Sequence, residues 1–244
     1  MKRVSFFGAN WKMYKNKSEA IDYFNAVKNW DKTDKEVVFF IPFHLLIPMK
    51  EMFPGVKIGA QNFYFKDEGA FTGEISSKML VEDGIEYAII GHSERRKIFK
   101  EDNDLIREKI MAGLRYKMKI VLCVGEDLEE RGKGLGYEVI KEQLSVLDGQ
   151  VIRLDSLIIA YEPVWAIGTG KVAKSEYIEE VHSYIRDLLN NKGIDGDNIR
   201  IIYGGSVNQN NIKEIMLMPN VDGCLVGSAS LSPETFKKIV FFEN

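Results

Sequence analysis

The sequence predicts an α/β fold of one domain over residues 1–244, a (β/α)8 barrel in which eight parallel strands alternate with helices. Three observations predict it. Eight short β-rich runs recur along the chain, apolar residues at helical spacing lie between many of them, and no linker divides the chain. An open doubly wound sheet also alternates strands and helices. Eight similar units, and the lack of a glycine fingerprint after the first run, favour the closed barrel.

The predicted strands are short and several are continuously apolar. The run at 37–41, Val-Val-Phe-Phe-Ile, is typical of a parallel strand that is covered on both faces. The eight predicted strands are Val4–Ala9, Val37–Ile41, Val56–Gln61, Tyr87–Ile90, Ile120–Val124, Leu157–Tyr161, Arg200–Tyr203 and Gly223–Val226.

Helical spacing follows most of these runs. Ser175 is predicted to cap the helix after the sixth strand, and Ser232 followed by Pro233 predicts the start of the last helix. The weakest helix prediction is 45–52, because Pro48 interrupts it. The apolar stripes are Ala20, Phe24 and Val27; Ile106, Ile110, Gly113 and Leu114; Tyr137, Ile140, Leu144 and Leu147; and Ile178, Val181, Ile185, Leu188 and Leu189.

Composition narrows the class of protein. The formal net charge is -3 with both signs interspersed, which argues against a nucleic-acid surface or a polybasic membrane contact. The two cysteines lie far apart in apolar runs, so neither a disulfide framework nor a metal site is indicated. The first apolar run stops at Ala9, too early for a signal-peptide core. A cytoplasmic protein is expected.

In a barrel of this kind, chemistry takes place on the loops that leave the carboxyl ends of the strands. Glu162 directly follows the sixth predicted strand, where a carboxylate can act as a base. The segment from Pro163 to Lys171 contains a proline, an aromatic residue and glycines, which suit a lid. The competing interpretation is a solvated Glu beside an ordinary turn.

Two other strand ends carry polar side chains. Asn10 and Lys12 follow the first strand, and His92 follows the fourth. Taken alone, Lys12 is typical of a solvated surface lysine and His92 of a hydrogen-bonded structural histidine. His44 lies in a loop and His182 in an apolar helical stripe, so neither is assigned a role.

Small residues follow the seventh and eighth strands, at Gly204-Gly205-Ser206 and at Gly227-Ser228. Turns at these two neighbouring strand ends can direct backbone N–H groups at a phosphate. Ordinary tight turns are the alternative. Residues 168–173 match the dinucleotide pattern G-x-G-x-x-A, but six residues separate Glu162 from Gly168, so the match is weak. No P-loop or metal-ligand spacing is present.

Five motifs together resemble the triosephosphate isomerase family, nearly from end to end. They are G-A-N-W-K at 8–12, G-H-S-E-R-R at 91–96, Y-E-P-V-W-A-I-G-T-G at 161–170, Y-G-G-S-V at 203–207 and L-V-G-S-A-S-L at 225–231. The resemblance implies a TIM barrel that interconverts glyceraldehyde 3-phosphate and dihydroxyacetone phosphate, in glycolysis and gluconeogenesis.

The resemblance also implies roles for single residues. Glu162 moves the proton, while His92, Lys12 and Asn10 stabilise the enediol(ate), and a helix after His92 is expected to lower its pKa. The residues implied to hold the phosphate are Gly168, Ser206, Gly227 and Ser228, together with Asn10 and Lys12 as substrate contacts. The lid closes over the intermediate, and no cofactor or metal is required.

The family resemblance further implies a homodimer. The long segment 61–74 corresponds to a loop that docks beside the partner's active site, with Thr72 reaching across and Glu94 and Arg95 in support. One departure is visible, because the phosphate turn usually carries Gly-Gly where this chain has Gly227-Ser228. If that turn needs a positive φ, serine costs about 1 kcal/mol there.

Two other functions stay open at this point. A Schiff-base aldolase on the same fold needs a lysine in an apolar pocket, and Lys12 is the only strand-end lysine that could serve. The aldolase interpretation assigns no role to Glu162 or to the lid. An inactive barrel kept as a binding or structural protein is the other, and its expected mark is loss of Glu162, His92 or Lys12.

Overall fold

A computed structural model describes residues 3–30, 33–166 and 173–242 of the chain. Eight parallel strands form a closed barrel in sequence order. They are β1 (Phe6–Asn10), β2 (Glu36–Ile41), β3 (Ile58–Ala60), β4 (Tyr87–Ile90), β5 (Lys119–Val124), β6 (Leu157–Tyr161), β7 (Arg200–Tyr203) and β8 (Gly223–Val226). The barrel closes because β1 pairs with both β2 and β8, for example through Phe7, which lies opposite Val37 and Cys224. The predicted barrel is confirmed, and the open sheet is wrong.

Helices connect the strands and surround the barrel. They are α1 (Lys17–Val27), α2 (Phe43–Met52), α3 (Ser77–Glu82), α4 (Ser93–Ile98), α5 (Asn103–Arg115), α6 (Leu128–Gly132), α7 (Gly136–Gln143), α8 (Ser175–Asn191), α9 (Ile212–Met216) and α10 (Pro233–Val240). Short 3-10 turns lie at Leu144–Leu147, Val164–Ala166 and Ser228–Leu231.

The apolar strands are buried on both faces, as their sequences predict. In β2, Val38 and Phe40 point into the barrel interior, whereas Phe39 packs in the layer between the strands and the helices. This alternation follows from the period of two in a strand, so a strand that is covered on both faces must be apolar throughout. Both cysteines are buried and unpaired in this core.

One weak helix prediction is confirmed, and one cap prediction needs correction. Residues 43–52 form α2 despite Pro48. Burial of Leu45, Leu46 and Met49 offsets the hydrogen bond that proline removes. Ser175 is not a cap, because it is the first residue of α8 and its hydroxyl donates to Glu214 of α9.

The start of α10 agrees with the sequence. The Ser232 hydroxyl accepts a hydrogen bond from the backbone N–H of Thr235, and Pro233 occupies the first turn.

None of the helices in the described ranges is both long and apolar enough to cross a membrane.

His182 links the stability of the barrel to pH. The ring lies on α8, is fully buried, and donates from Nδ1 to the Asn220 carbonyl at 3.2 Å. Burial lowers its pKa from 6.5 to about 3. The folded protein therefore keeps this ring neutral at pH values where the unfolded chain protonates it.

We expect the free energy of unfolding to fall as the pH is lowered below about 6.5, by about 2 kcal/mol between pH 7 and pH 5 from His182 alone. Urea unfolding at a fixed protein concentration measures this slope. In His182→Gln the unfolding free energy is expected to change less with pH, because unfolding then takes up close to one proton fewer. Equal slopes in the two proteins would contradict the assignment.

Candidate active site

A cleft of about 380 Å³ opens at the carboxyl end of the barrel. The residues that line it follow five different strands, namely β1, β4, β6, β7 and β8. Because all strands are parallel, their carboxyl ends meet at one rim, and side chains that are far apart in sequence come together there. The cleft therefore lies at the end of the barrel where this fold carries its active sites.

Glu162 and His92 face each other in this cleft. His92 Nε2 lies 3.0 Å from Glu162 Oε1, and the backbone N–H of Ser93 donates to Glu162 Oε2 at 2.9 Å. Both side chains are almost fully buried, with 2% of Glu162 and 5% of His92 exposed. Both carboxylate oxygens of Glu162 thus accept a hydrogen bond, which is what a buried charge requires.

The local structure after β4 selects the tautomer of His92. The residue caps α4, and its Nδ1 accepts a hydrogen bond from the backbone N–H of Glu94 at 3.2 Å. A nitrogen that accepts carries no proton, so the ring is neutral and its proton lies on Nε2. That N–H points at Glu162 and into the cleft.

Each member of this pair changes the pKa of the other. Burial alone raises the pKa of Glu162, but His92 and the N–H of Ser93 outweigh it and lower the pKa. Burial alone lowers the pKa of His92, but the Glu162 carboxylate outweighs it and raises the pKa. The expected lowering of the His92 pKa is therefore wrong for the arrangement in which Glu162 rests against the ring.

Lys12 is held in an uncommon backbone conformation, with φ of 51°. Its N–H donates to Asn10 Oδ1 at 3.0 Å, and its carbonyl accepts from Gln61 Nε2 at 2.8 Å. The ammonium group lies 2.5 Å from Glu94 Oε1. A lysine with positive φ is strained, and these contacts from three strand ends hold it in place. The result is a fixed positive charge in the cleft.

The turns after β7 and β8 form the opposite side of the cleft. Ser206 donates its hydroxyl to the Ala166 carbonyl at 3.0 Å, and its own carbonyl accepts from Asn211 Nδ2. Ser230 donates its hydroxyl to the Gly227 carbonyl at 2.7 Å. In the described ranges, no acceptor faces the backbone N–H of Ser206, Gly227 or Ser228.

Gly205 is required by close packing. A Cβ at this position would lie 2.1 Å from the Tyr203 hydroxyl oxygen, which leaves no room for any side chain. The backbone of this turn can therefore lie directly against the strand end.

A second buried carboxylate, Glu126, lies behind the start of the segment that follows Glu162. Its Oε1 accepts hydrogen bonds from Tyr161 Oη, Trp165 Nε1 and Tyr177 Oη at 3.0, 2.8 and 3.1 Å. The Arg131 guanidinium lies over the rings of Trp165 and Tyr177. These contacts connect the end of β6 with α8 across the first residues of the predicted lid.

A carboxylate, a neutral imidazole and an ammonium group that share one cleft suit proton transfer next to a carbonyl group. The carboxylate can take the proton, and the other two groups can stabilise the negative charge that then develops on oxygen.

Comparisons with known proteins agree with this chemistry. The family described as Triosephosphate isomerase matches residues 5–242. The chain belongs to this family. It is 47% identical to a triosephosphate isomerase of Aquifex aeolicus, over 96% of this chain and 97% of that protein. It is 43% identical to one of Alkaliphilus oremlandii, over 98% and 100%, and 44% identical to one of Alkaliphilus metalliredigens, over 98% and 100%.

The cleft brings together most of the residues that the sequence analysis selected. Those that line it are Asn10, Lys12, His92, Glu162, Ser206, Gly227 and Ser228. The Glu94 carboxylate contacts the Lys12 ammonium group. Arg95 forms an ion pair with Glu101 at 2.6 Å, and Thr72 is exposed. Gly168 lies outside the described residues, as do positions 167–171 of the predicted lid.

The turn at Ser228 carries no backbone strain. In the part of the chain that the structure describes, positive φ at residues other than glycine occurs at Lys12, Lys15, Lys100 and Lys117. Ser228 begins a 3-10 turn with an ordinary backbone, so the penalty expected for a positive φ does not arise.

Two residues of the site were missed. Glu126 follows β5 directly after Gly125, so the strand-end rule that selected Glu162 would also have selected it. Gln61 follows β3, and only the packed barrel shows that its amide donates to the carbonyls of Lys12 and Phe40.

Replacing Glu162 by Gln is expected to lower the pKa of His92, because the carboxylate that raises it is removed while the burial that lowers it remains. An NMR titration of the imidazole protons measures this, with the exposed His44 as the internal control. An unchanged pKa in the variant would show that the pair is not coupled.

Proposed function

We propose that this chain interconverts D-glyceraldehyde 3-phosphate and dihydroxyacetone phosphate, as glycolysis and gluconeogenesis require, by moving a proton between neighbouring carbons. The observation that carries the proposal is the contact of Glu162 with His92 at 3.0 Å inside a cleft that also holds the Lys12 ammonium group. Membership of the family supports it.

Glu162 is the base in this proposal. Without substrate, both of its oxygens are occupied by donors from His92 and Ser93, and its pKa is lowered. A carboxylate that gives up those bonds becomes a stronger base, since the two interactions that lower its pKa are lost. The carboxylate therefore has to leave this resting position when it takes the proton from carbon.

His92 and Lys12 stabilise the oxygen that becomes negative. The proton on Nε2 of the neutral His92 ring is available to that oxygen once Glu162 has moved. The movement also removes the carboxylate that raises the pKa of His92, so the ring stays neutral while it donates. Asn10 supports Lys12 through the 3.0 Å bond to its backbone N–H.

The phosphate group binds between the turns after β7 and β8. The backbone N–H groups of Ser206, Gly227 and Ser228 supply donors, and Lys12 supplies the charge. Gly168 completes the set in this proposal. The lid from Pro163 to Lys171 closes over the bound substrate and excludes water, with Trp165 held by Glu126 at its start.

The two competing functions lack support in the geometry. A Schiff-base lysine works in an apolar pocket, whereas Lys12 is paired with the Glu94 carboxylate. An inactive barrel is expected to have lost part of the site, whereas Glu162, His92 and Lys12 line one cleft.

We also propose that the protein is a cytoplasmic homodimer that binds neither nucleic acid nor membranes. Large apolar side chains are exposed after β1 and at the end of α4, with 94% of Met13 and 63% of Phe99 accessible. The segment that carries Thr72 is closed at its base by the pairing of Tyr64 with Ser76. Exposed apolar groups of this size support an interface between proteins in this proposal.

The reaction is tested by assaying the interconversion with the purified chain beside Glu162→Asp. The shorter side chain keeps the charge but withdraws it by about 1 Å, which is expected to cost on the order of a hundredfold in rate. The rate of interconversion is measured for both proteins, and circular dichroism checks that the variant is folded like the parent. A folded parent protein without turnover would refute the proposed reaction.

The dimer is tested by sedimentation equilibrium. Phe99→Glu is expected to give a monomer, because it places a charge in the interface. Leu217→Glu is the matched control, since Leu217 is 71% exposed after α9, on the other side of the barrel, and that variant is expected to remain a dimer. A monomeric parent, or a dimeric Phe99→Glu, would contradict the assignment.

A further inference from the structure

Ser228 lines the end of the cleft beside Lys12, and its backbone conformation does not require a particular residue type. Gly227 and Ser228 follow β8, and a Cβ on Gly227 would lie 3.7 Å from Cε of Lys12. The turn thus lies next to the positive charge. Ser228 has an ordinary φ, so neither glycine nor any other particular residue is needed for the conformation.

The hydroxyl of Ser228 differs from those of its neighbours. The Ser206 hydroxyl donates to the Ala166 carbonyl, and the Ser230 hydroxyl donates to the Gly227 carbonyl. Ser228 is exposed and lines the cleft, and no side chain or carbonyl in the described ranges bonds its hydroxyl. Within these ranges it is a donor available to a ligand, in a cleft that Lys12 also lines.

We propose that the Ser228 side chain is a binding and specificity residue, which donates a hydrogen bond from its hydroxyl to an oxygen of the substrate's phosphate group. The ligand class is a phosphate monoester or inorganic phosphate. The proposal rests on the proposed function for the identity of the substrate, but it adds a side-chain donor to the backbone donors described above. A hydrogen bond to a charged group contributes enough to change affinity about tenfold.

This donor is expected to act through the phosphate group and not directly on the base or the imidazole. It lies at the end of the cleft formed by the turn after β8, whereas the base and the imidazole follow β6 and β4. Its loss should therefore weaken every phosphorylated ligand by a similar factor. Turnover of unphosphorylated glyceraldehyde should fall by a much smaller factor, because that substrate has no group to receive the bond.

The first experiment measures the dissociation constant of inorganic phosphate by calorimetry, without any turnover. Ser228→Ala and Ser228→Gly are expected to bind phosphate about tenfold more weakly than the parent, and Ser228→Thr, which keeps the hydroxyl, within about twofold of it. Ser18→Ala, at an exposed serine on α1, is the control for loss of a hydroxyl elsewhere. Equal or tighter binding in Ser228→Gly would overturn the proposal, and so would a parent that binds no phosphate.

The second experiment compares kcat/KM for glyceraldehyde 3-phosphate and for glyceraldehyde. A loss of kcat/KM that is about tenfold for the phosphorylated substrate and much smaller for glyceraldehyde supports the proposal. An equal loss for both substrates overturns it, because the serine would then act on the structure of the site as a whole. A parent that binds phosphate but does not turn over refutes the proposed reaction while leaving the hydroxyl assignment standing, so the two failures are distinguishable.

Discussion

The pairing of β1 with β8 is the constraint on which the rest of the molecule depends. It converts a row of parallel strands into a closed barrel, which leaves no strand edge exposed and places all eight carboxyl ends at one rim. Lys12 at one end of the chain and Ser228 near the other thereby become neighbours. An open sheet built from the same strands would hold them far apart, and the cleft would not exist.

The rim is also where the molecule buries charge. Glu162 and Glu126 are carboxylates with almost no access to water, and each is held by several donors. Glu162 accepts hydrogen bonds from His92 and from the backbone N–H of Ser93, the first residue of α4. One oxygen of Glu126 accepts hydrogen bonds from three aromatic side chains. Buried carboxylates need such partners. The difference between them is functional in our proposal, because the partners of Glu162 can be exchanged for substrate while those of Glu126 join β6 to α8.

Much of the fold could be predicted because its signals are local. Four of the eight strands have the predicted bounds, since a short apolar run between polar segments marks a buried parallel strand. They are Tyr87–Ile90, Leu157–Tyr161, Arg200–Tyr203 and Gly223–Val226. The local signals were weak or misleading where a distant contact decided the outcome. The Ser175 hydroxyl bonds Glu214 of another helix instead of its own backbone, and α2 tolerates Pro48 because the core buries its neighbours.

The sequence alone determined the order of strands and helices, the strand-end positions of Glu162, His92 and Lys12, and the family to which the chain belongs, because each depends on residue type and spacing along the chain. Only the tertiary structure decided the protonation of the site. The tautomer of His92 follows from an N–H of α4, and the direction of its pKa follows from the competition between burial and a carboxylate 70 positions further along the chain. The same holds for the Ser228 hydroxyl, which has no hydrogen-bond partner among the residues that the structure describes. Hydrogen bonds and burial depend on distances between segments, and those distances exist only once the barrel has closed.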